Sequence, residues 1–214
     1  MTKIAIYGAG GFGREVFCLL KNINAISPQW EVIGFFDDGK SKGELVGHYG
    51  PVLGGMAELN EWRESLAVVI AVGSAQSLKK IAEGIKNPLV SFPNIIYPGI
   101  MFADESSVSM GKGNIIQRAS FFSCDVKIGD FNVFNGSTVL GHDVVMGSYN
   151  ILMPAVRISG STTIGDSNFF GINAIVLQGK KIGNGITLGA ASVLMKNPKD
   201  GKLYIGNPAK LMEF

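Results

Sequence analysis

The 214-residue chain has few of the side chains that most catalytic and metal sites use: it contains two histidines and two cysteines. Cys18 and Cys124 are far apart in the sequence and too few for a disulfide framework, which favours a reducing compartment. The formal net charge of +2 is small, so nothing in the composition points to nucleic acid or a membrane surface as a partner.

Long apolar runs are missing as well. The first residues, MTKIAIYGAGGFG, hold four apolar residues in a row before the glycines begin, which is too short for a signal-peptide core. No segment approaches the roughly 18 consecutive apolar residues that a membrane span requires. We therefore expect a cytoplasmic protein without membrane insertion, long enough for one large domain or two small ones.

The first part of the chain alternates strand-like and helix-like runs. Strand-like runs are Lys3–Tyr7, Trp30–Phe36 and Ala67–Val72, and helical spacing is found in Arg14–Asn22 and Leu78–Ile85. Such alternation favours a parallel sheet covered by helices. Residues 1–97 are therefore predicted to form a small Rossmann-like α/β domain.

A glycine-rich turn follows the first predicted strand. Residues 8–13, GAGGFG, fit the pattern GxGxxG between a strand and a helix. Backbone amides at a helix start favour phosphate, and glycine lets a ligand approach closely. Asp37 ends the next strand and could accept hydrogen bonds from ribose hydroxyls. By itself the motif fits NAD, another nucleotide, or a tight turn without a ligand.

After the prolines of SFPNIIYPGI the helical spacing ends and a period of six residues begins. Every sixth residue is large and apolar over fifteen successive hexads: Met110, Ile116, Phe122, Ile128, Phe134, Leu140, Met146, Leu152, Ile158, Ile164, Phe170, Val176, Ile182, Leu188 and Leu194. Turn-forming residues recur two and three places later. Residues 98–214 are therefore predicted to form a β-solenoid with these fifteen side chains inward, since an antiparallel sandwich would show a period of two.

The hexads, the N-terminal GAGGFGREV, the Asp37-Asp38 pair and the terminal GNPAK together resemble the NeuD/PglD-type sugar O- or N-acyltransferases, which are hexapeptide-repeat enzymes. The resemblance covers nearly the whole chain. It implies that the solenoid is a left-handed parallel β-helix and that the protein is a homotrimer. It also implies transfer of an acetyl group from acetyl-CoA to an amino or hydroxyl group of a nucleotide-activated sugar.

The resemblance assigns site residues in both domains. The nucleotide sugar is expected at Gly10, Gly11, Phe12, Asp37, Asp38 and Gly73, and acetyl-CoA at Ile151, Ile172 and Ala190. Phe12 and Ile151 stand where such enzymes commonly have histidine, and Ala190 where they have glycine.

His142 and Asp143 match the family's catalytic motif, with His142 as the general base and Asp143 as its partner. An adjacent carboxylate orients an imidazole and favours its protonated form. A solvated histidine at a turn is the alternative. No metal is expected, because the related β-helical carbonic anhydrases bind zinc with three histidines and this chain has only His48 and His142.

Two other functions remain open from the sequence. The GxGxxG motif by itself fits an NAD(P)-dependent oxidoreductase, although the short first domain has no evident catalytic partner. The repeats also fit a non-catalytic trimeric scaffold that carries a nucleotide-binding domain.

Overall fold

The computed structural model describes residues 1–213. The chain divides into two compact units, Met1–Pro98 and a second unit that begins at Gly99. Within residues 1–213, no helix has both the length and the apolar character that crossing a membrane requires.

The first unit is a parallel sheet with helices. Its elements are β1 (Thr2–Tyr7), α1 (Gly11–Ile26), β2 (Trp30–Phe36), β3 (Val52–Gly54), α2 (Met56–Asn60), β4 (Leu66–Ile70), α3 (Ala75–Gly84), β5 (Val90–Ser91) and β6 (Ile95–Ile96). Five strands lie in the order β3-β2-β1-β4-β5, and all their pairings are parallel. All five residues of β4 are buried, as expected for a strand covered on both faces. The strand order reverses between β1 and β4, where ligands bind in open α/β sheets.

The three predicted strands and two predicted helices of this unit are present, and α1 is longer than its apolar spacing indicated. The sequence analysis did not identify β3, α2 and β5, which have three, five and two residues. Segments this short span at most about one and a half periods of their apolar pattern, so periodicity could not detect them.

The second unit is a parallel β-helix built almost entirely from two-residue strands. Between β7 (Met101–Phe102) and β8 (Ser109–Met110) lies a 3₁₀ turn at Glu105–Ser107. The strands that follow are β9 (Ile115–Ile116), β10 (Phe121–Phe122), β11 (Lys127–Ile128), β12 (Val133–Phe134), β13 (Val139–Leu140), β14 (Val145–Met146), β15 (Ile151–Leu152), β16 (Arg157–Ile158), β17 (Thr163–Ile164), β18 (Phe169–Phe170), β19 (Ile175–Val176), β20 (Lys181–Ile182), β21 (Thr187–Leu188), β22 (Val193–Leu194), β23 (Leu203–Gly206) and β24 (Ala209–Leu211).

Each strand from β10 to β19 pairs with the strands three before and three after it, so one coil contains three strands. The coil has three faces. Face 1 contains β7, β10, β13, β16, β19 and β22, and face 2 contains β8, β11, β14, β17 and β20. Face 3 contains β9, β12, β15, β18 and β21, followed by the antiparallel hairpin of β23 and β24.

The predicted inward positions form the core of this unit. Each is the second residue of its strand, and fourteen of the fifteen are at most 6% exposed. Met110, in the first complete hexad, is half-buried. The residue four places after each apolar one is also buried at most coils, as at Val126, Thr138, Val144 and Val156. Each period of six residues therefore contributes two inward side chains, one from the strand and one from the corner that follows it.

The corners share one backbone conformation. Three residues after each inward position the chain adopts a positive φ, from Gly113 to Ala191, and eleven of these residues are not glycine. Asp143 is one of them, with φ of 55°. An isolated left-handed residue costs about 1 kcal/mol or more for most L-amino acids, and here neighbouring coils fix it through amide hydrogen bonds such as Asp143 N to Cys124 O at 3.1 Å.

A ladder of asparagines lies inside the corner between faces 2 and 3. Asn114, Asn132, Asn150 and Asn168 are each fully buried, one per coil. The Oδ1 atom of each accepts the backbone N–H one coil further on, ending at Ile186 N. The Nδ2 atoms of Asn132, Asn150 and Asn168 donate back along the ladder at 2.9–3.1 Å. The ladder satisfies backbone groups that an apolar residue would leave unpaired.

Candidate functional site

A cleft of about 280 Å³ opens at the switch point of the first unit; we call it the switch-point cleft. It collects residues that follow three adjacent strands of the sheet. Its lining consists of Tyr7, Gly8, Asp37, Asp38, Gly39, Val72, Gly73, Ser74, Ser77 and Ile81. Three of the six residues predicted to bind the nucleotide sugar, Asp37, Asp38 and Gly73, are therefore brought together here.

Both carboxylates are held in place by hydrogen bonds from within the unit. Asp37 Oδ2 accepts from Ala9 N at 2.7 Å, and Asp37 Oδ1 accepts from Gly39 N at 2.9 Å. Asp38 Oδ2 accepts from the Tyr7 hydroxyl at 2.6 Å, and Asp38 Oδ1 accepts from Met56 N at 2.8 Å. Each carboxylate oxygen keeps a second lone pair, so the cleft offers fixed acceptors for ligand hydroxyls or N–H groups.

Tyr7 is the buried donor of this arrangement, with 2% of its surface exposed. Burial raises the pKa of the Tyr7 hydroxyl, and the hydrogen bond to Asp38 and the negative charges of Asp38 and Asp37 raise it further. The hydroxyl therefore stays protonated and keeps donating to Asp38 over the whole neutral pH range. Sequence analysis read Tyr7 only as the end of a strand and did not identify this role.

The glycines of the GxGxxG turn have different roles. A Cβ on Gly13 would lie 1.9 Å from the carbonyl oxygen of Gly8, so Gly13 permits close packing of α1 on the strand end. A Cβ on Gly10 would meet no atom within 4 Å. Gly10 and Gly11 are exposed at the N-terminus of α1, and Phe12 is half-buried. These three predicted residues lie at the helix start and do not line the switch-point cleft.

A second cleft, of about 460 Å³, adjoins the first; we call it the apolar cleft. It is lined by Asp38, Met56, Ser77, Lys80, Ile81 and Gly84, and it shares Asp38, Ser77 and Ile81 with the switch-point cleft. Met56 packs against Gly84, where an added Cβ would stand 3.0 Å from the methionine methyl group. The sequence held no signal for this cleft, since it depends on how α2 and α3 lie beside the sheet.

In the second unit, His142 and Asp143 form a pair at the corner between faces 1 and 2. The chain turns there between β13 and β14, and His142 Nδ1 lies 2.7 Å from Asp143 Oδ2. The left-handed φ of Asp143 breaks the strand alternation that would point adjacent side chains apart. About half of each side chain is exposed. The contact predicted from the sequence is present in the structure.

Gly160 provides the space for the imidazole. It lies 18 residues after His142, on the same corner of the next coil. A Cβ on Gly160 would stand 2.6 Å from Nε2 and 2.7 Å from Cε1 of His142. The ring therefore lies over a bare backbone, with Nδ1 engaged by Asp143 and Nε2 making no hydrogen bond within the described chain. Gly160 stands two places after the inward Ile158, so the sequence placed it only among the recurring turn-forming residues.

The residues expected to bind acetyl-CoA lie on other parts of the coil. Ile172 and Ala190 occupy the corner between faces 3 and 1 on successive coils, joined by the hydrogen bond from Ala191 N to Ile172 O at 2.8 Å. Ile172 is 49% exposed. Ile151 stands apart, in β15 of face 3, and is only 1% exposed. Face 1 separates the Ile172 corner from the His142 corner.

Comparisons with known proteins cover both units. Residues 3–85 match the family model of the PglD N-terminal domain. The acetyltransferase domain of PglB from Neisseria gonorrhoeae FA1090, solved with acetyl coenzyme A, is 26% identical, with 98% of each chain covered and a TM-score of 0.85. PerB from Caulobacter crescentus, solved with CoA and GDP-perosamine, is 26% identical over 100% of this chain and 98% of that one (TM-score 0.86). WeeI from Acinetobacter baumannii AYE is 27% identical over 99% and 100% (TM-score 0.87).

These similarities confirm the predicted fold class, a small Rossmann-like α/β domain followed by a left-handed parallel β-helix. Fold, cleft and hexapeptide corners together define an acyltransferase of the hexapeptide-repeat class. The predicted resemblance to the NeuD/PglD-type sugar acyltransferases is confirmed: residues 3–85 match the PglD N-terminal domain, and the whole chain is similar to the PglB, PerB and WeeI structures. Within residues 1–213, no three His, Cys, Asp or Glu side chains are grouped so that they could hold a metal ion.

Proposed function

We propose that this protein transfers an acetyl group from acetyl-CoA to an amino group, or a hydroxyl group, of a nucleotide-activated sugar, with His142 as general base and Asp143 as its orienting partner. The observation that carries the proposal is the 2.7 Å contact between His142 Nδ1 and Asp143 Oδ2 beside the bare backbone of Gly160. That contact engages one ring nitrogen and leaves the other available to a substrate.

The chemistry follows from this arrangement. When Asp143 accepts the N–H of Nδ1, the neutral ring carries its lone pair on Nε2. Nε2 takes the proton of the attacking nitrogen or oxygen while that atom forms a bond to the thioester carbonyl carbon. The carbon–sulfur bond then breaks, and the leaving CoA sulfur takes the proton back from the imidazolium. Asp143 holds the ring in the required tautomer throughout.

The first unit is the proposed binding site for the nucleotide of the acceptor. The start of α1, with Gly10, Gly11 and Phe12, presents backbone amides suited to the phosphates. Asp37, Asp38 and Gly73 in the switch-point cleft suit the rest of the nucleotide. The similarity to PerB, which was solved with GDP-perosamine, supports a nucleotide-linked amino sugar as the acceptor.

The second unit is the proposed binding site for acetyl-CoA, with Ile172 and Ala190 as its contacts at the corner between faces 3 and 1. Ile151 belongs to the same proposed set, although its side chain is covered within the chain. The similarity to PglB, solved with acetyl coenzyme A, supports this cofactor.

The proposal includes a homotrimer, because the acetyl-CoA contacts and the His142 pair lie apart from each other within a single copy. The Ile172 corner and the His142 corner lie at opposite edges of face 1, so a single copy does not bring them together. Face 1 presents outward the apolar residues Phe121, Val139, Ile175 and Val193, all half-buried, with the exposed Arg157 between Val139 and Ile175, and at its edge Leu177 and Met195, 38% and 42% exposed. A second copy packed on this apolar face could supply one corner while the first supplies the other.

The central experiment measures thiol release from acetyl-CoA with a panel of nucleotide-linked amino sugars. Release is expected with at least one acceptor and should be lost in His142→Ala. The activity is disproved if no acceptor supports release, and the role of His142 is disproved if the variant turns over like the wild type.

Light scattering tests the assembly: the wild type should be a trimer and Ile175→Glu should dissociate it. A wild-type monomer would contradict the shared site.

A further inference from the structure

Face 1 of the β-helix presents a single charged side chain, which belongs to Arg157. The outward residues of its six strands are Met101, Phe121, Val139, Arg157, Ile175 and Val193. Arg157 is exposed and forms no ion pair with any residue in 1–213. An interface that covers face 1 therefore takes a guanidinium group out of water, which is unfavourable unless an anion replaces the water.

The carboxylates that border face 1 all lie at one of its two edges. Within residues 1–213, the corner between faces 3 and 1 holds no acidic residue, and the corner between faces 1 and 2 holds Asp104, Glu105, Asp125 and Asp143. Asp143 uses Oδ2 for His142 Nδ1 at 2.7 Å. The other oxygen, Oδ1, can still accept from a guanidinium group.

Arg157 and Asp143 lie toward opposite edges of face 1 within one copy. Arg157 comes two residues after Ala155, the left-handed residue of the corner between faces 3 and 1. In the proposed trimer this corner of one copy meets the His142 corner of the next. Asp143 of the neighbouring copy then stands beside the edge at which Arg157 lies.

The heights of the two residues along the β-helix also agree. Copies packed side by side in a closed trimer share a threefold axis parallel to the β-helix, so each residue has the same height in every copy. Val139 pairs with Arg157 one coil later, and a coil advances about 4.8 Å, the spacing of neighbouring strands. Asp143 is less than one coil before Arg157, a height difference of about 4 Å, which the long arginine side chain covers. Asp125 is a full coil further away.

We infer that Arg157 of one copy binds Asp143 of the neighbouring copy and thereby holds the His142-Asp143 pair in its catalytic geometry. The guanidinium engages Oδ1 while His142 engages Oδ2, so the carboxylate is fixed from both sides. Arg157 is a positioning residue, since it acts on the imidazole only through Asp143. The inference rests on the proposed function, because it uses the homotrimer and the role of His142.

Carbodiimide cross-linking of the full chain tests the contact without any substrate. The reagent activates a carboxylate, a neighbouring amine displaces it as a urea, and an amide bond joins the two side chains while the ammonium protons pass to solvent. Arg157→Lys should therefore become covalently joined between copies, and peptide mapping should place the bond at Asp143. Wild type gives the background, because a guanidinium does not react. Adding Asp143→Asn to Arg157→Lys should abolish the bond. A trimer of Arg157→Lys that forms no bond to Asp143 would overturn the inference.

Kinetics test whether the contact positions the base. Arg157→Met should remain a trimer by light scattering, because methionine keeps face 1 apolar. Its kcat should fall about 10-fold, the usual effect of losing a hydrogen bond to a charged group, with the KM of both substrates unchanged. Lys181→Met is the matched control, since it removes an exposed cation from the outward position of β20 on face 2. Wild-type kcat is expected there.

Mixed trimers test whether Arg157 acts on the neighbouring copy. In a mixture of Arg157→Met and His142→Ala, intact sites form where His142 of the first variant meets Arg157 of the second. Turnover should therefore exceed the sum of the two variants measured alone. No gain on mixing would mean that Arg157 does not act between copies.

The outcomes separate the inference from the proposed function. If the wild type is an active trimer and Arg157→Met turns over equally fast, the inference is wrong and the proposed function stands. If no acceptor supports thiol release, the proposed function fails and cross-linking decides the inference by itself. If the wild type is a monomer, the assembly and the inference both fail, while thiol release still tests the transfer reaction.

Discussion

The imidazole of His142 lies over Gly160, one coil further along the same corner, where an added Cβ would stand 2.6 Å from Nε2. The ring has room there only because residue 160 has no side chain. Gly160 does not have the left-handed φ of the neighbouring Ser161, which is 54°, so its backbone could carry a side chain. The demand for glycine at this position therefore comes from the histidine and not from the turn.

We expect Gly160→Ala to displace the imidazole and to lower kcat by about 10- to 100-fold, since errors near 1 Å in a catalytic group can cost that much. The fold should be retained, because a histidine side chain at the surface can rotate away from the new methyl group. Gly136→Ala is the matched control: it occupies the same hexad position, and its added Cβ would lie 3.5 Å from the nearest atom, Arg118 O. Wild-type kcat in Gly160→Ala would mean that catalysis does not need the observed ring position.

His142→Ala should lower kcat by about 10²- to 10⁴-fold, the usual contribution of a positioned general base. The affinities for acetyl-CoA and for the nucleotide should stay the same, because the lost interaction forms only in the transition state. Asp143→Asn should cost less, since the ring loses orientation but keeps its free nitrogen. His48→Ala is the control, because His48 lies in the first unit, is exposed and packs its ring on Tyr49. Equal effects of the two histidine changes would contradict the assignment.

Asn150→Ala should destabilise the β-helix, as urea unfolding would show. It removes the acceptor of Asn168 N and the donors to Asn132 Oδ1 and Gly165 O, all buried or part-buried. Each orphaned group costs about 1–3 kcal/mol. Asn184→Ala is the comparison, since exposed Asn184 accepts from Asp166 N at a corner where water can replace it. A smaller loss in Asn150→Ala than in Asn184→Ala would show that the ladder is not a main source of stability.

Tyr7→Phe should raise the KM of the acceptor several-fold and leave kcat and acetyl-CoA binding unchanged. The variant keeps the ring and removes only the hydroxyl that holds Asp38 Oδ2 at 2.6 Å. Steady-state kinetics against both substrates measure the split. Tyr49→Phe serves as the control, because Tyr49 packs by its ring against Phe17 and lies outside both clefts. An equal rise in the KM of acetyl-CoA would point to general damage to the first unit.

The stability of the first unit should fall above about pH 10, the ordinary pKa of tyrosine, and Tyr7 should account for part of that fall. Burial and the bond to Asp38 raise the pKa of Tyr7 in the folded chain. Between the unfolded and folded pKa values the folded state binds the extra proton, so stability is full below the unfolded pKa and decreases as pH rises. Urea midpoints measured across this range should decline less steeply in Tyr7→Phe than in the wild type.

Periodicity was sufficient to predict the β-helix because every coil repeats the same local arrangement of strand and corner. A two-residue strand has one inward side chain and each corner needs a left-handed residue, so the spacing of apolar and turn-forming residues recurs every six positions. Leu140, Leu152 and Phe170 could be placed in the core without any tertiary information. The buried Asn150 could not, because an asparagine every 18 residues resembles a turn residue until the coils are stacked.

The sequence by itself determined the two-part architecture, the inward positions of the hexads and the His142-Asp143 pair, since each depends on residues close together in the chain. Tertiary structure alone decided which distant residues support them. Gly160 lies under the His142 ring, the Tyr7 hydroxyl donates to Asp38, and Lys80 and Asp38 line the same cleft. Local spacing in the sequence marks none of these pairs. The physical reason is that stacking and sheet order bring together side chains 18 to 42 positions apart, and no period in a linear chain records a contact that only packing creates.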